Sequence, residues 1–347
     1  MEKLGLAWLT VPALRMRRRV SQGIRSYYEG LIREGVDSRE KLLAEERKAL
    51  RHKTDFTKAV ELSVPVNWRS CKCYKLRGSW NTSRGIRSVI STVLDPRMYE
   101  LGATLCFALK SADIRDEGFD ERENLSEEEY KFRMGVADRL EKLVCDRCKK
   151  IHREDFYRRY KEARDTIWNY EMMDLKNAEM LRRGEFDEIR RNYDKIKESW
   201  HGKTAGIGEK AVMLTLYEGG LLEEDPDVAR AIIRFQWFVS NIWMWADELK
   251  DLETNIKERT PNRIIIECIK RGLNSIKEED VYEFIRDNPD VIDEPLREYI
   301  DGAERVKEGL GRVPWLNFRD YDLGERVVLK KLDERRGALI EKLFSTR

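Results

Sequence analysis

Little in this 347-residue chain would break a helix: it has only 8 prolines, and stretches that alternate apolar with polar residues are scarce. That scarcity argues against a strand-rich fold, and heptad-like patterning along most of the chain predicts an all-α protein. No apolar run reaches the roughly 20 residues that span a bilayer. Neither charge sign dominates: 67 Lys and Arg face 65 Asp and Glu, for a net charge of +2. A general nucleic-acid binder would carry a basic surplus, so that class is set aside. The start, MEKLGLAWLTVPALRMRRRV, places its apolar segment before Arg15, Arg17, Arg18 and Arg19, the reverse of a signal peptide. It reads as an amphipathic first helix with a basic solvated face, and contact with a membrane surface is the alternative. The 6 cysteines include a C-x-C at Cys71 and Cys73 and a C-x-x-C at Cys145 and Cys148, with His152 one turn on. Four such ligands suit zinc. Because LVCDRCKKIHRED reads as continuous helix, free thiols of a cytoplasmic chain are the expectation, with a zinc site or a disulfide as the alternative.

Punctuation along the chain is sparse. Asp37-Ser38 reads as a helix cap, and Asp95-Pro96 breaks the chain before an apolar helix over 97–117. Pro65, Gly78 and Asn81 predict an irregular segment over 64–82, with a helix starting near Ser83. The polar stretch 118–130 predicts a loop. Long charged helices follow over 131–198, then a helix rich in small residues over 200–222, stopped by Gly219-Gly220. Asp225-Pro226-Asp227 caps a helix running to about 255, another spans about 261–271, and the remainder is helical with a break at 309–314. No linker stands out. Residues 1–79 are read as N-terminal helices and an irregular segment of the same bundle as the core, 80–347.

Two short motifs carry chemistry. Asp116, Glu117 and Asp120 end one apolar helix, and Asp247, Glu248 and Asp251 end another apolar stretch. Residues four apart lie one above the other on a helix. Asp116 and Asp120 therefore point one way, as do Asp247 and Asp251. Two such helices facing each other would form a nest of carboxylates, the oxygen ligands that Mg²⁺ takes and shares with substrate phosphates. The spacing alone is weak evidence. With 65 acids in 347 residues it arises roughly twice by chance, and Glu223–Glu224–Asp227 and Glu279–Asp280–Glu283 repeat it in polar surroundings.

Taken in order, the motifs resemble the trans-isoprenyl diphosphate synthases (the polyprenyl synthetase family) and, more broadly, the class I terpenoid synthases. TSRGIRS supplies Arg84 and Arg87 in the spacing of the family's GGKxxR. MYELGATLCFALKSADIRDEGFD resembles the helix ending in DDxxD, with Glu117 for the second Asp. Met172-Met173-Asp174-Leu175 loosely resembles a QxxDL segment, Lys203-Thr204-Ala205 matches a Lys-Thr pair, and Asp247, Glu248 and Asp251 match the second aspartate-rich motif. The resemblance covers roughly residues 80–265. It departs at Leu125-Ser126, where the family has Arg-Arg, at Leu109, where it has His or Gln, and at Trp243-Met244, where it has Phe-Gln. The arginines and the His or Gln help hold isopentenyl diphosphate in the family.

The resemblance implies a single-domain antiparallel helical bundle around a central cavity, a prenyl diphosphate substrate, roughly three Mg²⁺ ions and a homodimer. By the same route Asp116, Glu117, Asp120, Asp247, Glu248 and Asp251 are the expected metal ligands. Lys203, Arg84, Arg87, Lys257 and Arg259 are the expected diphosphate contacts, and Phe107, Leu109, Ala112 and Trp243 the expected pocket lining. With the metal site kept and the second-substrate site altered, a terpene synthase that cyclises or quenches the cation is favoured. The alternatives are a divergent prenyltransferase and a non-catalytic helical partner of a synthase. GAERVKEGLGRVPWLNFRDY, through Gly309, Trp315, Arg319 and Tyr321, loosely resembles the C-terminal segment of bacterial-type terpene cyclases.

Overall fold

A computed structural model describes residues 7–52, 55–77 and 84–345. The described residues form helices and turns, with no strand among them. In chain order the helices are α1 (Thr10–Arg33), α2 (Arg39–Arg51), α3 (Asp55–Lys75), α4 (Arg84–Val93), α5 (Pro96–Asp120), α6 (Glu127–Lys150), α7 (Phe156–Arg183), α8 (Phe186–Arg191) and α9 (Tyr193–Trp200). A π turn, His201–Ala205, leads into α10 (Gly206–Glu218) and α11 (Leu221–Glu224). The rest are α12 (Pro226–Glu258), α13 (Arg263–Lys270), α14 (Glu278–Asp287), α15 (Asp290–Gly311) and α16 (Arg319–Ser345). Among the described residues, none of these helices is long and apolar enough to cross a membrane.

The chain divides into two compact units. The first comprises Met1–Tyr160, Ala211–Pro226 and Trp315–Asn317, and so includes both sides of position 80; the second comprises Lys161–Lys210, Asp227–Pro314 and Phe318–Arg347. In the first, α5 is the central rod, packed on α1, α3 and α6. Its middle turns are apolar all round, as a helical stretch covered on every side must be: Leu101, Ala103 and Phe107 are fully buried, as is Ile114 beyond them. Close approach of α1 requires Gly23, where a Cβ would stand 2.7 Å from the Phe107 ring. In the second, α12 carries the buried face Ile232, Phe235, Ile242, Trp245 and Leu252, and Ile264–Ile269 of α13 is buried throughout and packs on α8, α14 and α15.

Several helix ends lie where sequence punctuation puts them. Ser38 Oγ accepts the Lys41 amide at 3.3 Å, and Asp95 accepts that of Arg97 at 3.0 Å with Pro96 opening α5. Gly220 stops the chain after α10 with φ +88°. Three segments differ from expectation. The irregular stretch over 64–82 is instead α3 as far as Lys75, which runs straight through Pro65; Gly78 and Asn81 lie outside the described residues. The proline costs about 3 kcal/mol, but Val60, Val64, Trp68 and Cys71 form one buried stripe at 1–4% exposure. At about 1.5–3 kcal/mol for each large apolar side chain, that burial outweighs the cost. The loop over 118–130 shrinks to a short 3₁₀ turn, Arg122–Asn124, because Ser126 caps α6 by accepting the Glu129 amide at 3.1 Å and three glutamates fill the first turn. The helix expected from 200 begins instead as the π turn.

None of the six cysteines is joined in a disulfide. Cys71 and Cys73 lie on α3, and Cys145 and Cys148 lie on α6. Burial pushes the Cys71 thiol up to about 12.

Candidate active site

One cleft of the second unit gathers acidic and basic side chains. Its volume is about 210 Å³, and Asp174, Lys203, Asp247, Glu248, Asp251 and Arg263 line it beside Trp200, Met244, Asn255 and Pro261. Helix periodicity puts α12's contribution there: Met244, Glu248, Asp251 and Asn255 follow one another at three- and four-residue steps.

Lys203 reaches the cleft through the π turn. Such turns insert an extra residue into a helix and recur at functional sites. A Cβ on Gly202 would fall inside the Tyr170 ring of α7, so only glycine lets the turn lie this close. The approach brings Lys203 Nζ to 2.9 Å from Glu171 and 3.3 Å from Asp174 Oδ2. Asp174 Oδ1 is buried with no hydrogen-bond partner.

Arg263 forms the floor. It is 2% exposed, and its guanidinium donates to Asn241 Oδ1 at 3.0 Å and the Trp200 carbonyl at 3.1 Å. Its Nε lies 3.7 Å from Glu248, whose carboxylate also accepts the Arg263 amide at 3.1 Å. Asn262 fixes this turn: its side-chain oxygen caps α13 on the Ile264 amide, and its NH₂ donates to the Glu248 carbonyl and to Asn255 Oδ1. Burial pushes the Glu248 carboxyl up to about 7; Arg263 opposes the shift, while Asp174 and Asp251 reinforce it. Asp247 Oδ1 receives Lys331 of α16 at 3.1 Å, and that ammonium also sits 3.4 Å above the Trp243 ring. Lys250 lies 3.1 Å from Asp251.

These residues fit a hard divalent cation in their chemistry. The donors are carboxylate oxygens, one buried oxygen has no partner, and one carboxyl is destabilised as an anion by burial and by its acidic neighbours. Among the described residues, no three His, Cys, Asp or Glu side chains converge as a ready-made cage. Ammonium groups stand on the carboxylates instead, Lys203 on Asp174, Lys331 on Asp247 and Lys250 on Asp251.

The other acidic motif lies in the first unit, in the last turns of α5. Negative charge there opposes the helix dipole, and cationic groups collect around it. Glu117 lies 3.6 Å from Lys48, 3.4 Å from His52 Nδ1 and 4.0 Å from Arg133. Burial holds the His52 imidazole below its ordinary pKa. Asp116 is half-buried, and Asp120 closes the helix.

The remaining expected residues are distributed as follows. Phe107 and Leu109 are core residues of the first unit, and Ala112 is exposed. Trp243 lies under Lys331, and its neighbour Met244 lines the cleft. Arg84 opens α4 and Arg87 is exposed on it. Lys257 is 58% exposed and pairs with Glu253, while Arg259 follows α12 at φ +53°; neither lines the cleft. Sequence reading did not assign roles to Arg263, Lys331, Asn255 or Glu171. Asn255 had a signal, since it continues the line of Asp247 and Asp251 by one more turn.

Comparison with solved structures decides the fold. A decaprenyl diphosphate synthase from Rhodobacter capsulatus superposes with a TM-score of 0.58 at 16% identity, over 92% of this chain and 99% of that one. A polyprenyl synthase from Caulobacter crescentus CB15, complexed with calcium and isoprenyl diphosphate, gives 0.59 at 14% identity over 91% and 97%. A geranylgeranyl pyrophosphate synthetase from the archaeon Geoglobus acetivorans gives 0.54 at 13% identity over 90% and 98%. The chain has the all-α isoprenoid synthase fold. At these identities the likeness is one of fold. No model of a protein family matches the sequence, and no curated protein matches it.

Proposed function

We propose that the protein ionises an allylic prenyl diphosphate in a magnesium-dependent reaction and then cyclises or quenches the resulting carbocation. One observation carries the reading: Asp174, Asp247, Glu248 and Asp251 share a cleft with Lys203 and Arg263. Magnesium, when bound, supplies Lewis-acid neutralisation of the leaving diphosphate. The chain supplies the rest. Asp247, Glu248 and Asp251 would hold the cation, as would Asp116, Glu117 and Asp120 of the first motif. Lys203, now held by Glu171 and Asp174, turns to the diphosphate oxygens, where negative charge grows as the C–O bond breaks. Arg263 has its donors committed to the protein backbone and Asn241, so it orients Glu248 rather than binding substrate.

Quenching or cyclisation is favoured over condensation by the segment after the first motif. Where the resembling family carries paired arginines, Ser126 is spent on capping α6, and Arg122 is paired with Glu127 at 2.6 Å. A second reading, condensation with isopentenyl diphosphate, is favoured by the fold's likeness to prenyl diphosphate synthases. Incubation with Mg²⁺ and geranylgeranyl diphosphate, with and without isopentenyl diphosphate, separates them. Diphosphate release with a hydrocarbon or alcohol product supports the first reading, and release that requires isopentenyl diphosphate supports the second. No release across prenyl diphosphates from C10 to C35, under either condition, defeats both and leaves the non-catalytic partner.

A further inference from the structure

Helix α4 is built inside out. Its inward positions are polar: Ser88 and Thr92 are 0% exposed, Ser88 Oγ accepts from Arg69 at 3.0 Å, and Thr92 Oγ1 donates to the Ser88 carbonyl at 2.8 Å. Its outward line is apolar: Ile86 is 66% exposed, Ile90 51% and Leu94, just past its end, 67%. The start of helix α1 and the turn before it reach this helix through two arginines. Arg15 donates to the Val93 carbonyl at 3.0 Å, and Arg69 bridges Ser88 to the Trp8 ring, 5.2 Å from the guanidinium. The outward line of α1 contains Val11, Leu14, Arg15 and Arg18, all exposed. Five large apolar side chains are thus turned to solvent on two neighbouring helices, an arrangement a monomer avoids unless something covers it.

The charge around this face has one sign. The sequence has no acidic residue from Ala7 to Tyr28 and none in α4. The nearest acids are engaged: Asp95 is buried under Lys72 and Arg97, Glu61 takes Arg17, and Glu100 takes Arg19. Arg18 and Arg87 have no acidic partner among the described residues. We propose that this face docks on an anionic lipid bilayer, with Ile86, Ile90, Leu94, Val11 and Leu14 entering the headgroup–acyl boundary and Arg18 and Arg87 meeting lipid phosphates. A second copy is the poorer occupant, because a two-fold contact through this face would set like charges against each other.

Sedimentation of the full chain with vesicles tests the proposal. Binding is expected to phosphatidylcholine vesicles containing phosphatidylglycerol, to weaken with added salt, and to be lacking on phosphatidylcholine alone. Ile86→Ser, Ile90→Ser and Leu94→Ser together should cut the bound fraction roughly tenfold or more with the helical circular dichroism unchanged. The milder pair Arg18→Gln and Arg87→Gln should weaken binding by about fivefold for each charge removed. Val327→Ser, at an exposed apolar position of the second unit, should change nothing. Failure of the unaltered protein to sediment with anionic vesicles at low salt overturns the proposal, as does equal binding by the triple variant. Analytical ultracentrifugation showing a dimer that the triple variant abolishes would assign the face to a second copy and also overturn it.

Discussion

Glu248 offers the sharpest quantitative test of the cleft. Its carboxyl is pushed from 4.5 to about 7, first by burial and then by Asp174 and Asp251, against the pull of Arg263. In the unfolded chain it titrates at its ordinary value, so between these limits the folded state binds the extra proton. Stability from this group is therefore complete below about 4.5 and is lost as pH rises through about 7. Between pH 5 and pH 8 the loss is about 2.5 kcal/mol. The side chain is still 15% exposed, so water relieves part of the penalty and this is an upper figure. Glu248→Gln cannot titrate. Urea unfolding of both proteins in metal-free buffer, at pH 5 and pH 8, should show the variant gaining on the unaltered protein by about 2 kcal/mol at the higher pH. Any constant cost from changing Arg263's neighbour cancels in that comparison. A difference that does not change with pH, or that runs the other way, would refute the assignment of Glu248 as a buried, under-compensated carboxyl. Mg²⁺ adds a second arm: a cation that draws off the proton should stabilise the unaltered protein more at pH 8 than at pH 6, and the variant less at either.

Lys203→Met should weaken binding of Mg²⁺–diphosphate about 10- to 100-fold, the value of a charge-assisted contact of about 1.5–3 kcal/mol, as measured by calorimetry. Lys331→Ala removes the ammonium that stands on Asp247 at 3.1 Å, and should tighten Mg²⁺ binding by up to about fivefold in the same assay. Gly202→Ala drives a methyl into the Tyr170 ring and should cost about 1–3 kcal/mol in thermal or urea unfolding, partly recovered when Tyr170 is also changed to Ala. Asp116→Ala should abolish turnover of a prenyl diphosphate while leaving the helical spectrum intact, and an unchanged rate would remove the first motif from the site.

What the sequence by itself determined is local. Scarce proline and heptad-like patterning determined an all-α chain; Ser38, Asp95-Pro96 and Gly220 set helix ends because capping groups satisfy backbone atoms within a few residues of themselves. The line of Asp247 and Asp251 on one helix face is likewise a matter of periodicity. Tertiary structure decided everything that depends on a partner far along the chain. Pro65 stays helical because the buried stripe of α3 outweighs it. Lys203 meets Glu171 and Asp174 only through a π turn seated on Gly202, and Lys331 meets Asp247 across 84 positions of sequence. Arg263 carried no signal, since a buried arginine and a solvated one look alike until the carbonyl, amide and carboxylate that hold it are in place. The outward apolar line of α4 reads as ordinary amphipathicity in the sequence, which gives the contrast between two faces but not which of them the rest of the molecule covers.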